Sequence, residues 1–158
     1  MFSANDVKSL RDKTGAGMMD CKKALQESNG NMEDAITWLR EKGISKAQKK
    51  ESRIAAEGLS YAFSDGNKAI ILEVNCETDF VAANEEFVSF ADKVAEMVAN
   101  TSAANVEELL AEKFDGEATV QEALTALIAK LGENMTLRRF AKFNIEKGAV
   151  ASYIHGGG

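Results

Sequence analysis

Apolar positions along the chain follow one rhythm before Gly58 and another after it, and the change separates two kinds of structure. Before it they recur at helical intervals in short runs: Val7 and Leu10, then Met18, Cys21, Ala24 and Leu25, then Ala35, Ile36 and Leu39. Asn5 or Ser3 can cap the first run, which stops at Thr14-Gly15, where glycine can take the left-handed conformation that ends a helix. The second run ends at the turn signal Ser28-Asn29-Gly30, and Asn31 with Asp34 resembles a capping box that opens a third helix reaching Gly43. Three short helices in a small bundle follow from this pattern. Lys46, Lys49, Lys50 and Arg53 then punctuate an Ala/Lys-rich linker, read as a solvated connecting helix, with weak RNA contact as the alternative, and the first unit spans residues 1–53.

Beyond Gly58 the period shortens. Leu59, Tyr61 and Phe63 alternate, Ser64-Asp65-Gly66-Asn67 carries an Asp-Gly hairpin signal, and the apolar run from Ala69 to Val74 returns as a buried strand. Phe87, Phe90, Ala91, Val94, Met97 and Val98 then stripe one face of a helix through Ala99. Asn105 to Lys113 and Val120 to Leu131 add helices, Gly132-Glu133-Asn134 breaks the pattern, and Leu137, Phe140, Phe143 and Ile145 mark a third strand. Arg138-Arg139 interrupts that strand's alternation and reads as a rim pair on the helix side. The expected fold class is α+β: a three-helix bundle, a linker, and over residues 54–148 an antiparallel sheet with helices packed on one face.

The join between the second strand and its helix is Asn75-Cys76-Glu77-Thr78-Asp79-Phe80-Val81-Ala82-Ala83-Asn84-Glu85-Glu86-Phe87. Thr78 or Asp79 can cap the helix, since a short oxygen side chain accepts a bond from a first-turn N–H that has no partner. Phe80 precedes the apolar stripe and is not claimed by it. Two readings stay open here: Asp79 as cap and Phe80 as core, or a large ring displayed beside a carboxylate at an exposed corner. A similar choice exists for Met18-Met19, because methionine adapts to irregular surfaces and so small a bundle buries both side chains with difficulty.

The corner sequence, together with Thr14-Gly15-Ala16-Gly17-Met18-Met19-Asp20-Cys21-Lys22-Lys23-Ala24-Leu25 and the joining segment Ala55-Ala56-Glu57-Gly58, resembles the translation elongation factor Ts family over nearly the whole chain. The resemblance implies a ubiquitin-associated-like domain at the start, followed by one half of a core of the dimerisation type. It also implies a function, guanine-nucleotide exchange on the GTPase elongation factor Tu, without enzymatic chemistry and without a cofactor. By the same resemblance Thr78, Asp79, Phe80 and Val81 displace elements near the partner's Mg²⁺ site, and Met18 and Met19 touch its GTPase domain. Ala83 stands where the family often has Lys or Arg, which puts any salt bridge from that position in doubt. The rival reading is a ubiquitin-associated-like adaptor that binds another protein and exchanges nothing.

Composition tests this picture. The formal net charge of −6 hides a split: residues 1–55 hold 11 Lys+Arg against 8 Asp+Glu, net +3, and the remainder 8 against 17, net −9. The larger, acidic part would repel phosphate, so a protein partner is expected and a nucleic acid is not. Cys21 and Cys76 lie far apart and form no CxxC pair, which suggests reduced thiols in a cytoplasmic protein, and no segment is apolar for long enough to span a bilayer. Gly15-Ala16-Gly17 follows a helix instead of a strand and has no Gly-Lys-Ser/Thr nearby, so a phosphate loop is not expected. His155-Gly156-Gly157-Gly158 matches a lipase oxyanion loop only superficially: His155 is the one histidine, no Gly-x-Ser-x-Gly elbow exists, and no metal-ligand spacing is present.

The last stretch repeats an earlier one. Ala151-Ser152-Tyr153-Ile154-His155-Gly156 aligns with Leu59-Ser60-Tyr61-Ala62-Phe63-Ser64. Since the family resemblance implies a core of two related halves, residues 149–158 are expected to be the opening strand of a second, missing core half, with a natural short form as the alternative and the oligomeric state left open.

Overall fold

The computed structural model describes residues 2–156. Helix α1, Ala4–Thr14, is opened by Ser3: its hydroxyl accepts from Asp6 N–H, and the Asp6 carboxylate accepts from Ser3 N–H at 2.7 Å. It closes at Gly15, φ 66°. Helix α2, Met18–Glu27, and helix α3, Met32–Gln48, complete the bundle, with Asn31 Oδ1 capping α3 by accepting from Glu33 and Asp34 N–H. Val7, Leu10, Cys21, Ala24, Leu25 and Ala35 form its core.

The third helix does not end at Gly43. It continues to Gln48, so the first part of the expected linker belongs to α3. The reason is tertiary: α3 lies along a core helix, and Ala47 packs against the main core, which offsets the cost of about 1 kcal/mol that an internal glycine carries.

Strands β1, Glu57–Asp65, and β2, Lys68–Cys76, form the hairpin the Asp-Gly signal predicted. Gly58 has φ 142°, and a Cβ there would meet Val74 O at 2.1 Å, so this position needs a residue with no side chain. Helix α4, Asp79–Ala82, and helix α5, Glu85–Asn100, follow β2. Here the expectation of one capped helix is corrected: Thr78 caps only the four-residue α4, and Asn84 caps α5 separately. The buried stripe of α5 is Phe87, Phe90, Ala91, Val94, Ala95 and Val98, with Met97 at its margin.

Helix α6 is shorter than expected, Val106–Ala111, because Asn105 is its cap and Lys113–Asp115 is strand β3. β3 pairs with β4, Ala118–Thr119, across Asp115-Gly116, an Asp-Gly turn with Gly116 at φ 55°. Helix α7, Val120–Leu131, has the predicted span; a Thr119/Glu122 capping box opens it and Gly132 at φ 83° closes it. Strand β5, Met135–Asn144, completes a sheet of order β1-β2-β5, antiparallel throughout.

Ile70, Leu72 and Val74 of β2, Leu59 and Tyr61 of β1, and Leu137 and Phe140 of β5 share one face and meet α5 and α7 there. Tyr61 OH donates to the Asp92 carboxylate, tying sheet to α5. Arg138-Arg139 has a different origin from a helix-side rim pair. Glu73 faces Arg139 while Val74 faces Leu137, so Arg138 is the extra residue of a β-bulge. Both arginines reach Glu73, at 3.7 and 2.7 Å, and Glu73 alternates with buried Leu72 and Val74, which puts Arg139 on the face away from the helices.

Residues 149–156, expected to open a strand, enter no sheet ladder. Two of their hydrogen bonds go instead to the tip of the first hairpin: Val150 N–H donates to Gly66 O at 2.9 Å, and Ser152 Oγ lies 3.1 Å from Ser64 Oγ. Gly157 and Gly158 lie outside the described residues.

Candidate functional site

The corner is built where β2 leaves the sheet, and its exposure pattern is set residue by residue. Cys76 is the last buried residue of the strand; Glu77 and Thr78 are half-buried; Asp79 and Phe80 are exposed; Val81 is half-buried and packs on the core. Phe80 is 84% exposed, which removes the reading of it as core. Asp79 is not the cap. That role falls to Thr78, whose Oγ1 accepts from Val81 N–H at 3.4 Å.

Thr78 is held from the other side by Glu133. One carboxylate oxygen accepts from Glu77 N–H at 3.1 Å and Thr78 N–H at 3.0 Å, and the other accepts from Thr78 Oγ1 at 2.6 Å. The exchange is returned: Glu77 Oε1 accepts from Asn134 N–H at 2.6 Å and stands 3.5 Å from Arg53 Nη1. Asn134 Nδ2 donates to Arg53 O at 2.7 Å and more weakly to Glu51 O at 3.4 Å. Cys76 Sγ donates to Thr78 O at 3.2 Å, and burial, reinforced by the nearby Glu133 charge, pushes its thiol up to about 11. It is a structural thiol.

The structure therefore gathers Thr78, Asp79, Phe80 and Val81 on one pinned turn. Met18 and Met19 stand elsewhere, in the first turn of α2, 55% and 75% exposed, so neither serves the bundle core. Their turn is fixed by Asp20, paired with Lys46 of α3 at 2.7 Å. Sequence reasoning missed Glu133, Asn134 and Arg53 as parts of the corner, and placed Glu77 in it without a role. Glu133-Asn134 registered only as a pattern break, and nothing local signals a bond to a residue 55 positions away.

Among the described residues no group of three His, Cys, Asp or Glu could hold a metal ion, and no helix is long and apolar enough to cross a membrane. A sequence model of the family described as Elongation factor TS matches residues 77–158, more than half of the chain and beginning at this corner. The chain belongs to the elongation factor Ts family. Elongation factor Ts of Clostridium perfringens (strain SM101 / Type A) is 63% identical over 160 residues, covering 100% of this chain and 53% of the relative. Elongation factor Ts of Clostridium botulinum (strain Alaska E43 / Type E3) is 62% identical, and that of Clostridium acetobutylicum 54%, with the same coverage. The chain thus spans about half the length of the curated relatives it matches.

Proposed function

We propose that the chain promotes guanine-nucleotide exchange on elongation factor Tu, with the turn from Thr78 to Val81 as the element that acts on the GTPase. The observation that carries this reading is Phe80, a ring 84% exposed on a turn whose preceding backbone is fixed by the half-buried Glu133 carboxylate. A preorganised aromatic anchor loses little conformational entropy on docking, and such residues dominate protein interfaces.

No covalent step is involved. An exchange factor binds the nucleotide-free GTPase more tightly than the nucleotide-bound one, and because coupling is reciprocal, incoming nucleotide expels the factor in turn. A thousandfold faster release corresponds to a barrier lower by about 4 kcal/mol. In this reading Phe80 wedges between partner helices while Asp79 competes for contacts around the partner's Mg²⁺, a large local charge. Met18 and Met19 supply a second, adaptable contact to the GTPase domain. We assign residues 1–53 as a ubiquitin-associated-like domain with its linker and 54–148 as a core half, acting in the cytoplasm on a protein partner without nucleic acid or membrane.

The test uses elongation factor Tu loaded with fluorescent GDP and chased with excess unlabelled GDP. The chain is expected to accelerate loss of signal, and Phe80→Ala to abolish most of that acceleration. Binding without acceleration would replace this reading with the adaptor.

A further inference from the structure

Helix α4 is four residues long, and a single helical turn does not hold itself in water, because nucleation fixes several residues for one hydrogen bond. The geometry of Phe80 must therefore be imposed from outside the turn. Two supports hold it: the core, against which Val81 and Ala82 pack, and Glu133-Asn134, which follow Gly132 at the end of α7 and bond Thr78 and Glu77. We infer that Glu133 and Asn134 are positioning residues of the corner, with Glu133 fixing the turn that presents Phe80 and Asn134 locking that turn to the linker from the helical bundle.

The inference rests on the exchange reading for its consequence and on geometry for its substance. Glu133 gives one carboxylate to three donors, all from the two residues that precede α4. Charge-assisted bonds of this kind are the strong ones, and without them two backbone N–H groups in a half-buried corner lose their acceptor. Asn134 is 6% exposed and spends its side-chain amide on the carbonyls of Arg53 and Glu51, while its own N–H reaches Glu77. Arg53 closes the circuit by pairing with Glu77. One dipeptide thus anchors the corner and the segment that joins it to the bundle, so the positions of Phe80 and of residues 51–53 are set together.

The experiment compares Glu133→Ala, Glu133→Gln, Phe80→Ala and the Phe80→Ala/Glu133→Ala double variant, each with its melting temperature recorded. In the free chain, amide hydrogen exchange at Glu77 and Thr78 should speed up at least about tenfold in Glu133→Ala. Glu133→Gln should stay near the parent, since its carbonyl still accepts from the two N–H groups and its amide can donate to Thr78 Oγ1. In nucleotide release from elongation factor Tu, Glu133→Ala should lower the rate at saturating concentration at least about tenfold, with a smaller change in half-saturating concentration. The double variant should be no slower than Phe80→Ala alone, because Glu133 acts through that ring. Unchanged amide exchange in Glu133→Ala, or a double variant whose losses multiply, would overturn the inference. If the parent chain does not accelerate release at all, the exchange reading falls by itself, and the positioning of the turn is decided by the amide data.

Discussion

Phe80→Ala and Phe87→Ala remove the same side chain from positions seven residues apart, and the structure assigns them opposite consequences. Phe87 is fully buried at the start of α5 and belongs to the main core, so its truncation should cost about 3 to 5 kcal/mol. Phe80 is 84% exposed, and scaling the same chemistry by its small buried share leaves about 0.5 to 0.8 kcal/mol. In a domain of this size 1 kcal/mol moves the melting temperature by about 2 to 4 °C. Phe87→Ala should therefore melt at least about 6 °C lower, and Phe80→Ala within about 3 °C of the parent. Scanning calorimetry gives the first comparison, and fluorescent GDP release from elongation factor Tu the second. Under the proposed exchange function, Phe80→Ala should accelerate that release far less than the parent, whereas Phe87→Ala should match the parent at temperatures where it stays folded. A large drop in melting temperature for Phe80→Ala would return the ring to the core and refute the reasoning.

Gly58→Ala should destabilise the chain by at least about 2 kcal/mol, since a Cβ at φ 142° would collide with Val74 O; chemical denaturation measures it, and a neutral result would mean β1 sits differently against β2. The Cys76 thiol, pushed up to about 11 by burial, binds its proton more tightly folded than unfolded. Its contribution is therefore complete below pH 9 and lost as pH rises towards 11, so the parent's melting temperature should fall across that window more than that of Cys76→Ala. Asn134→Ala should speed tryptic cleavage after Lys49, Lys50 or Arg53, because the amide that holds the Glu51 and Arg53 carbonyls is gone, and unchanged cleavage would free the linker from that role.

What the sequence determined by itself was whatever depends on neighbours in the chain. The change of period at Gly58, the Asp-Gly turn of the first hairpin, the α7 span from Val120 to Leu131, and the striped face of α5 all rest on local spacing and local turn signals. The family could also be read from contiguous motifs, as could the location of the corner. Other features belonged to the tertiary structure. Gly43 reads as a helix end, and α3 passes through it because α7 and the main core hold the extension in place. Arg138-Arg139 reads as a flaw in alternation, and only the pairing with β2 shows it to be a bulge. Residues 149–156 repeat a strand sequence without forming a ladder, since a strand exists only by virtue of the strand it pairs with. The corner shows both sides of the division. Thr78 to Val81 could be found from sequence because the turn is contiguous, but the carboxylate that fixes it comes from Glu133, and a hydrogen bond across 55 residues leaves no periodic trace in either segment.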